Sequence, residues 1–209
     1  MSASLVDQVA AGHAPDFQRW TASQIHRMRE LGILEEGSPI ELIDGLLVRK
    51  DRSDFGDAPM THGKRHAYCV RQLQRLTRQI EDLDCSLQTQ LPIEISDAHE
   101  PEPDAAIMRG AIEDYRDRLP TAADVFLAIE VSGRSLEFDR TTKQRVYATA
   151  LIPEYWIINL RTKVVEVYSH PAAELGAYQS RRDYQPGETL RITIDANRGL
   201  DIAVNQLLP

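Results

Sequence analysis

Residues 124–160, DVFLAIEVSGRSLEFDRTTKQRVYATALIPEYWIINL, limit the fold more than any other part of the chain. Val125, Phe126, Leu127, Ala128 and Ile129 form a near-continuous apolar run, the pattern of a strand buried on both faces at the centre of a sheet. Glu130 closes the run. An isolated carboxylate in low dielectric is costly, so it needs a cation, a proton or water. After the polar turn SGRS, a helical pattern starts near Asp139 and places Lys143, Val146, Tyr147 and Ala150 along one stripe. The stripe is apolar except at its head, so an ammonium is aimed toward the sheet near the end of the strand carrying Glu130. Asp139, four residues earlier, is spaced to pair with Lys143 on the surface. Pro153 stops the helix, and EYWIINL reads as the next strand. Strand, helix, strand is a crossover unit joining parallel strands, and ligand sites lie in crevices outside the carboxyl ends of such strands.

The chain has 209 residues, enough for a single domain with a sizeable core, and its 42% hydrophobic and 27% charged content is ordinary for a globular protein. Residues 1–16 are small, polar and aperiodic, a loosely held tail, so the domain is expected over 17–209. No apolar run is long enough to span a bilayer, and the first residues lack the basic-then-apolar pattern of a secretory signal. Cys69 and Cys85 form no metal-binding spacing, so a reducing cytoplasm is the expected compartment. A net charge of −8 argues against a nonspecific nucleic-acid coat, but not against a nucleic-acid enzyme with a local basic face.

Upstream, Thr21 reads as the N-cap of a short helix with Ile25, Met28 and Leu31 inward, ended by Gly32 or Gly37. Asp44-Gly45 marks a hairpin within PIELIDGLLVRK. On its own residues Glu41 reads as a surface strand carboxylate, and residues 51–60 as a loop. Residues 61–80 form a helix with Ala67, Val70, Leu73, Thr77 and Ile80 inward. That segment carries Lys64, Arg65, Arg71, Arg75 and Arg78 with no acid before Glu81. Arg71, Arg75 and Arg78 share one face, which is either simply solvated or meets a phosphate backbone. His62 and His66 have metal-ligand spacing, but no third partner follows, which favours a helix-end or site-lining role.

Residues 85–95 read as a strand, and Asp104 opens a second buried strand, DAAIM. If that strand runs antiparallel beside 125–130, Asp104 and Glu130 fall at the same end of the sheet, and the pleat decides whether they share a side. Residues 110–123 form a partly helical excursion, residues 163–169 a hairpin strand after Arg161-Thr162, and residues 176–182 and 188–194 further strands. The last residues, DIAVNQLLP, read as a short helix, and Trp156, Tyr168 and Tyr178 as core aromatics.

Phosphodiester hydrolysis needs a cation on the phosphate oxygens, an activated water and a stabilised leaving oxygen. Magnesium prefers oxygen ligands and keeps waters, so Asp104 and Glu130 suffice, with a backbone carbonyl near Val131 as a further ligand. Lys143 would orient the water and offset transition-state charge.

At these residues the chain resembles the PD-(D/E)XK nuclease superfamily and, more closely, the Uma-two family of restriction-endonuclease-like proteins. The resemblance rests on ELIDG (41–45), the helix with His66, QLPIEI (90–95), EPEPDAAIMR (100–109), EVSGRSLEFD with TTK and VY (130–147), and IPEYWIINL (152–160). It implies an α/β restriction-endonuclease-like fold, an αβββαβ core with a mixed central sheet flanked by helices, plus an N-terminal helix and hairpin and C-terminal strands. It also implies a magnesium- or manganese-dependent endonuclease with Asp104 and Glu130 as metal carboxylates, Glu41 as an additional acidic site residue, and a homodimer. Ser132 stands where the usual pattern has lysine, and the resemblance moves that role to Lys143. Leu151 stands where glycine is typical, which alters a helix cap and not the site.

The expected function is therefore metal-dependent hydrolysis of DNA by Asp104, Glu130, Lys143 and Glu41, with Arg71, Arg75, Arg78, Lys64 and His66 meeting the nucleic acid. The alternatives are a nucleic-acid-binding module with an inactive site and an oligomeric interaction protein of the same fold.

Overall fold

The structure, a computed structural model, describes residues 18–35, 37–50 and 63–209. The expected tail at 1–16, the loop at 51–60 and His62 lie outside the described residues.

Helix α1 (Ala22–Glu30) starts where Thr21 predicts: Gln24 N–H donates to the Thr21 hydroxyl, and the Gln24 side chain accepts from Thr21 N–H. This reciprocal pair satisfies two orphan donors of the first turn. Ala22 and Ile25 are buried and Met28 packs beside them, but Leu31 lies past the helix end and is exposed. Strands β1 (Ile40–Ile43) and β2 (Leu46–Arg49) form the expected hairpin. Asp44 and Gly45 both adopt positive φ, as a tight two-residue turn between right-twisted strands requires.

The helix expected over 61–80 is two helices, α2 (Lys64–Gln74) and α3 (Thr77–Glu81). The Thr77 hydroxyl donates to the Gln74 carbonyl at 2.7 Å, and Leu76 rather than Thr77 turns inward. A short hydroxyl side chain that bonds local backbone competes with the helical ladder, and the chain breaks there. Strand β3 (Cys85–Gln88) is also shorter than expected, because Gln90 turns into positive φ and Pro92 follows.

Six strands form the central sheet in the order β3, β4 (Ala105–Arg109), β5 (Val125–Ser132), β6 (Glu154–Asn159), β7 (Val164–Ala172) and β8 (Ala177–Tyr184). Only β5 and β6 pair in parallel, and helix α4 (136–149) crosses between them. Within α4, residues Asp139–Lys143 form a π turn, and both end residues of that turn are buried. One face of the sheet presents Ile107, Leu127, Ile129 and Trp156 to Cys69, Val70 and Leu73 of α2. That core also takes in the two-stranded sheet of β9 (Thr189–Thr193) and β10 (Gly199–Ala203), together with α5 (Val204–Leu207). The expected terminal helix thus begins only after a strand. The other face presents Ala106, Ala128, Tyr155 and Ile157 to Leu136, Tyr147 and Ala148 of α4. A helix-backed mixed sheet of this order is the restriction-endonuclease-like α/β fold. Among the described residues, no helix is long and apolar enough to cross a membrane.

Candidate active site

Ala105 pairs with Ile129 across the antiparallel β4–β5 ladder, and continuing that register one step sets Asp104 opposite Glu130. Directly opposed residues of such a pair point to the same face. The face is the one that α4 covers, since Ala128 packs there and Glu130, two residues on, points the same way. The two acids therefore come together because one begins its strand and the other lies near the end of its own.

Glu130 Oε1 accepts from Lys143 Nζ at 2.8 Å and from the Tyr147 hydroxyl at 3.0 Å. Lys143 Nζ also lies 2.8 Å from Glu41 Oε2, so one ammonium bridges two carboxylates. All three side chains are buried. Lys143 ends the π turn that Asp139 begins, and both are buried; such turns recur at functional sites. Asp139 is not the surface partner of Lys143 that its spacing suggested. It is buried, and its Oδ2 accepts from Ser132 and Ser135 hydroxyls at 2.6 Å each. Ser132, at the usual lysine position, thus holds an acid.

Asp104 Oδ2 shares a hydrogen bond with His66 Nε2 at 3.0 Å and accepts from Val131 N–H at 2.8 Å. The side-chain amide of Gln90 approaches Oδ1 at 3.5 Å. The hairpin closes the site from the other side. Leu42 and Glu100 exchange backbone hydrogen bonds, Glu102 N–H donates to Glu41 Oε2 at 3.1 Å, and Lys50 Nζ donates to the Glu102 carbonyl. Glu41 is accordingly a buried site acid rather than a surface strand carboxylate.

Burial pushes Glu130 up, to about 8; Asp139 and Asp104 add to the rise and Lys143 opposes it. Burial also acts to lower Lys143, but Glu130, Glu41 and Asp139 outweigh it and hold the ammonium above its ordinary range. The two directions agree physically: a single positive charge is shared among several acids, so the lysine stays charged while Glu130 holds a proton more tightly than a free glutamate. Burial favours neutral Asp104 too, yet His66, Lys50 and Val131 N–H hold it well below the usual carboxylate range. Asp139 is raised, chiefly by burial.

These residues line a cavity of about 260 Å³ open to solvent, with Arg49 and Arg134 exposed among its lining. Sequence reasoning missed Lys50, Arg49, Arg134 and the inward course of Asp139; the cue for Lys50 was its place at the end of the hairpin bearing Glu41. His66 belongs to this buried site, apart from the exposed Lys64, Arg71, Arg75 and Arg78. The break after Arg75 puts Arg78 on a separate short helix, so the three arginines do not lie along one continuous helix face.

Among the described residues, no group of three or more His, Cys, Asp or Glu side chains is disposed to hold a metal ion. Two carboxylates, a carbonyl and waters meet the needs of magnesium, however. The donors here suit a hard cation: Glu130 receives its hydrogen bonds on Oε1 and Asp104 its two shortest on Oδ2, which leaves carboxylate oxygens for an ion.

No curated protein matches the chain. A solved structure titled a "putative nuclease belonging to DUF820 from Anabaena variabilis ATCC 29413" superposes with a TM-score of 0.60 at 17% identity, covering 86% of this chain and 96% of that one. That likeness is one of fold. The family described as "Putative restriction endonuclease" matches residues 22–205, nearly the whole domain with both carboxylate strands and the helix between β5 and β6, and the chain belongs to this family, Uma2.

Proposed function

We propose that the protein is a metal-dependent endonuclease that hydrolyses phosphodiester bonds of DNA. The observation that carries this reading is Lys143 Nζ, 2.8 Å from both Glu130 and Glu41, beside Asp104 in a solvent-open cavity. Asp104, Glu130 and the Val131 carbonyl would hold magnesium or manganese, which supplies charge neutralisation at the phosphate and a more acidic bound water. The protein residues do the remaining work. His66 and Val131 N–H keep Asp104 ionised and oriented. Tyr147 fixes Glu130 from the helix side, and Glu41 shares the charge of Lys143. The Lys143 ammonium, held charged by its acids, stabilises negative charge that develops on phosphate oxygens. Catalysis of this kind is mostly positioning and electrostatics, which a buried lysine held by two carboxylates supplies without reorganising.

Nicking of supercoiled plasmid with magnesium or manganese tests the reading. Wild type should convert plasmid to open circles. Asp104→Asn and Lys143→Met should each reduce the rate by about a hundredfold or more, the scale of losing one preorganised transition-state contact. Equal cleavage by Asp104→Asn and wild type would falsify the assignment.

A further inference from the structure

Two ammonium groups are buried at the cavity, and their surroundings differ. Lys143 has carboxylate oxygens at 2.8 Å on two sides. Lys50 is 7% exposed, lies at the end of β2, and donates to the Glu102 carbonyl. Among the described residues its nearest carboxylate contact is Glu102 Oε2 at 3.8 Å, beyond hydrogen-bond reach. Burying an ammonium is expensive unless a counter-charge accompanies it. The carbonyl satisfies one of the three N–H donors, and the Glu102 carboxylate at 3.8 Å offsets the charge without a hydrogen bond. Asp104, Glu130 and Glu41 act on Lys50 only through space, because their hydrogen bonds and ion pairs among the described residues are made with Lys143, His66, Tyr147, Val131, Gln90 and Glu102. Lys50 therefore enters the cavity wall with one long ion pair, beside the exposed Arg49 and Arg134, and burial together with Lys143 lowers its pKa, which a close anion would reverse.

We propose that Lys50 is a substrate-contacting residue whose ammonium takes a non-bridging oxygen of the phosphodiester in this cavity. The inference rests on the phosphodiester reading above and extends it: Lys143, held by Glu130 and Glu41, acts on the developing charge through space, and Lys50 makes the direct contact with the phosphate. Its anchoring to the Glu102 carbonyl fixes it two residues from Asp104, so the same backbone segment positions the acid and the phosphate-binding cation. A bound phosphate oxygen would complete the charge balance that the folded protein leaves open at this lysine.

The test compares wild type, Lys50→Met and Lys50→Arg for binding to a short fluorescent DNA duplex in calcium, for plasmid nicking in magnesium, and for thermal stability. Lys50→Met should weaken duplex binding by about tenfold or more, the scale of one lost charge-assisted contact. It should leave the melting temperature unchanged or raised, because a poorly compensated buried charge is replaced by a chain of similar length. Lys50→Arg should recover part of the binding. Lys50→Met that binds like wild type overturns the proposal, as does weakened binding that merely tracks a lowered melting temperature. Wild type that binds DNA through Lys50 yet cuts nothing removes hydrolysis and leaves the contact standing. Wild type that binds no DNA overturns both.

Discussion

A lysine placed 2.8 Å from each of two buried carboxylates is a local electrostatic problem with a measurable signature. Glu130 titrates at about 8 rather than 4.5 because burial disfavours its charge and Asp139 and Asp104 repel it, against the pull of Lys143. Between those values the folded chain holds a proton that the unfolded chain has released. Stability from this group is therefore fully present below the ordinary glutamate range, declines as pH rises, and is gone above about pH 8. Glu130→Gln keeps the acceptor for Lys143 and Tyr147 but cannot titrate. Urea unfolding at about pH 5.5 and about pH 8.5 should show wild type losing on the order of 2 kcal/mol more than Glu130→Gln between the two conditions. Equal losses would mean that Glu130 ionises normally in the fold. At this scale the sequence showed Asp104, Glu130 and Lys143 by type and placement. It hid Asp139, because an acid four residues before a lysine is the usual pattern of a solvated helix-face pair, and nothing in that spacing marks the two as buried together. It hid Lys50, because no periodic pattern marks a side chain buried by the segment it leans on.

The elements that matter most are the hairpin and the helix, since Glu41 and Lys50 come from one and Lys143 from the other. Both were legible: Asp-Gly between short apolar runs announced the hairpin, and the apolar stripe ending in a lysine announced the helix. The split of α2 from α3 and the shortness of β3 were not, because a threonine back-bond and a positive-φ glutamine override patterns that look continuous. The hairpin turn itself is a strict requirement. Gly45 has φ +71°, and a Cβ there would stand 2.7 Å from Arg19 Cβ and 3.2 Å from the Trp20 carbonyl. Its N–H donates to the Ala98 carbonyl, and the neighbouring Asp44 side chain pairs with Arg145 of α4 at 2.6 Å. Gly45→Ala should cost about 1–3 kcal/mol in chemical denaturation and reduce plasmid cleavage as well, because the turn carries Glu41 and Lys50 with it. Gly187→Ala is the matched control: it has φ +96° with open space around the Cβ position, so strain arises there without displacing the hairpin. A variant at Gly45 that melts early but cleaves normally would show that the hairpin is only scaffolding.

For the whole molecule, the proposed function sets a problem: a chain with net charge −8 would have to approach a polyanion. Long-range attraction is then unfavourable on average, and binding depends on where the local cations lie relative to the cavity. The composition announced the overall charge and the basic stretch around α2, but only the fold shows which grooves its arginines border. Arg71 shares a groove with Gln74 and Gln90, and Gln90 reaches Asp104 Oδ1 at 3.5 Å. Arg75 borders a different groove with Gln206 and Leu207, and Arg78 lies beyond the helix break. A phosphate backbone seated over Asp104 and Glu130 therefore continues past Arg71 and leaves Arg78 behind. Each cation on a phosphate adds nearly one counterion to the salt dependence, so Arg71→Ala should lower the slope of log affinity against log salt by about one, and Arg78→Ala should leave it unchanged. Fluorescence titrations of a DNA duplex across a range of potassium chloride measure both slopes. Equal effects from the two variants would place the DNA along the entire basic stretch rather than across the carboxylate end of the sheet.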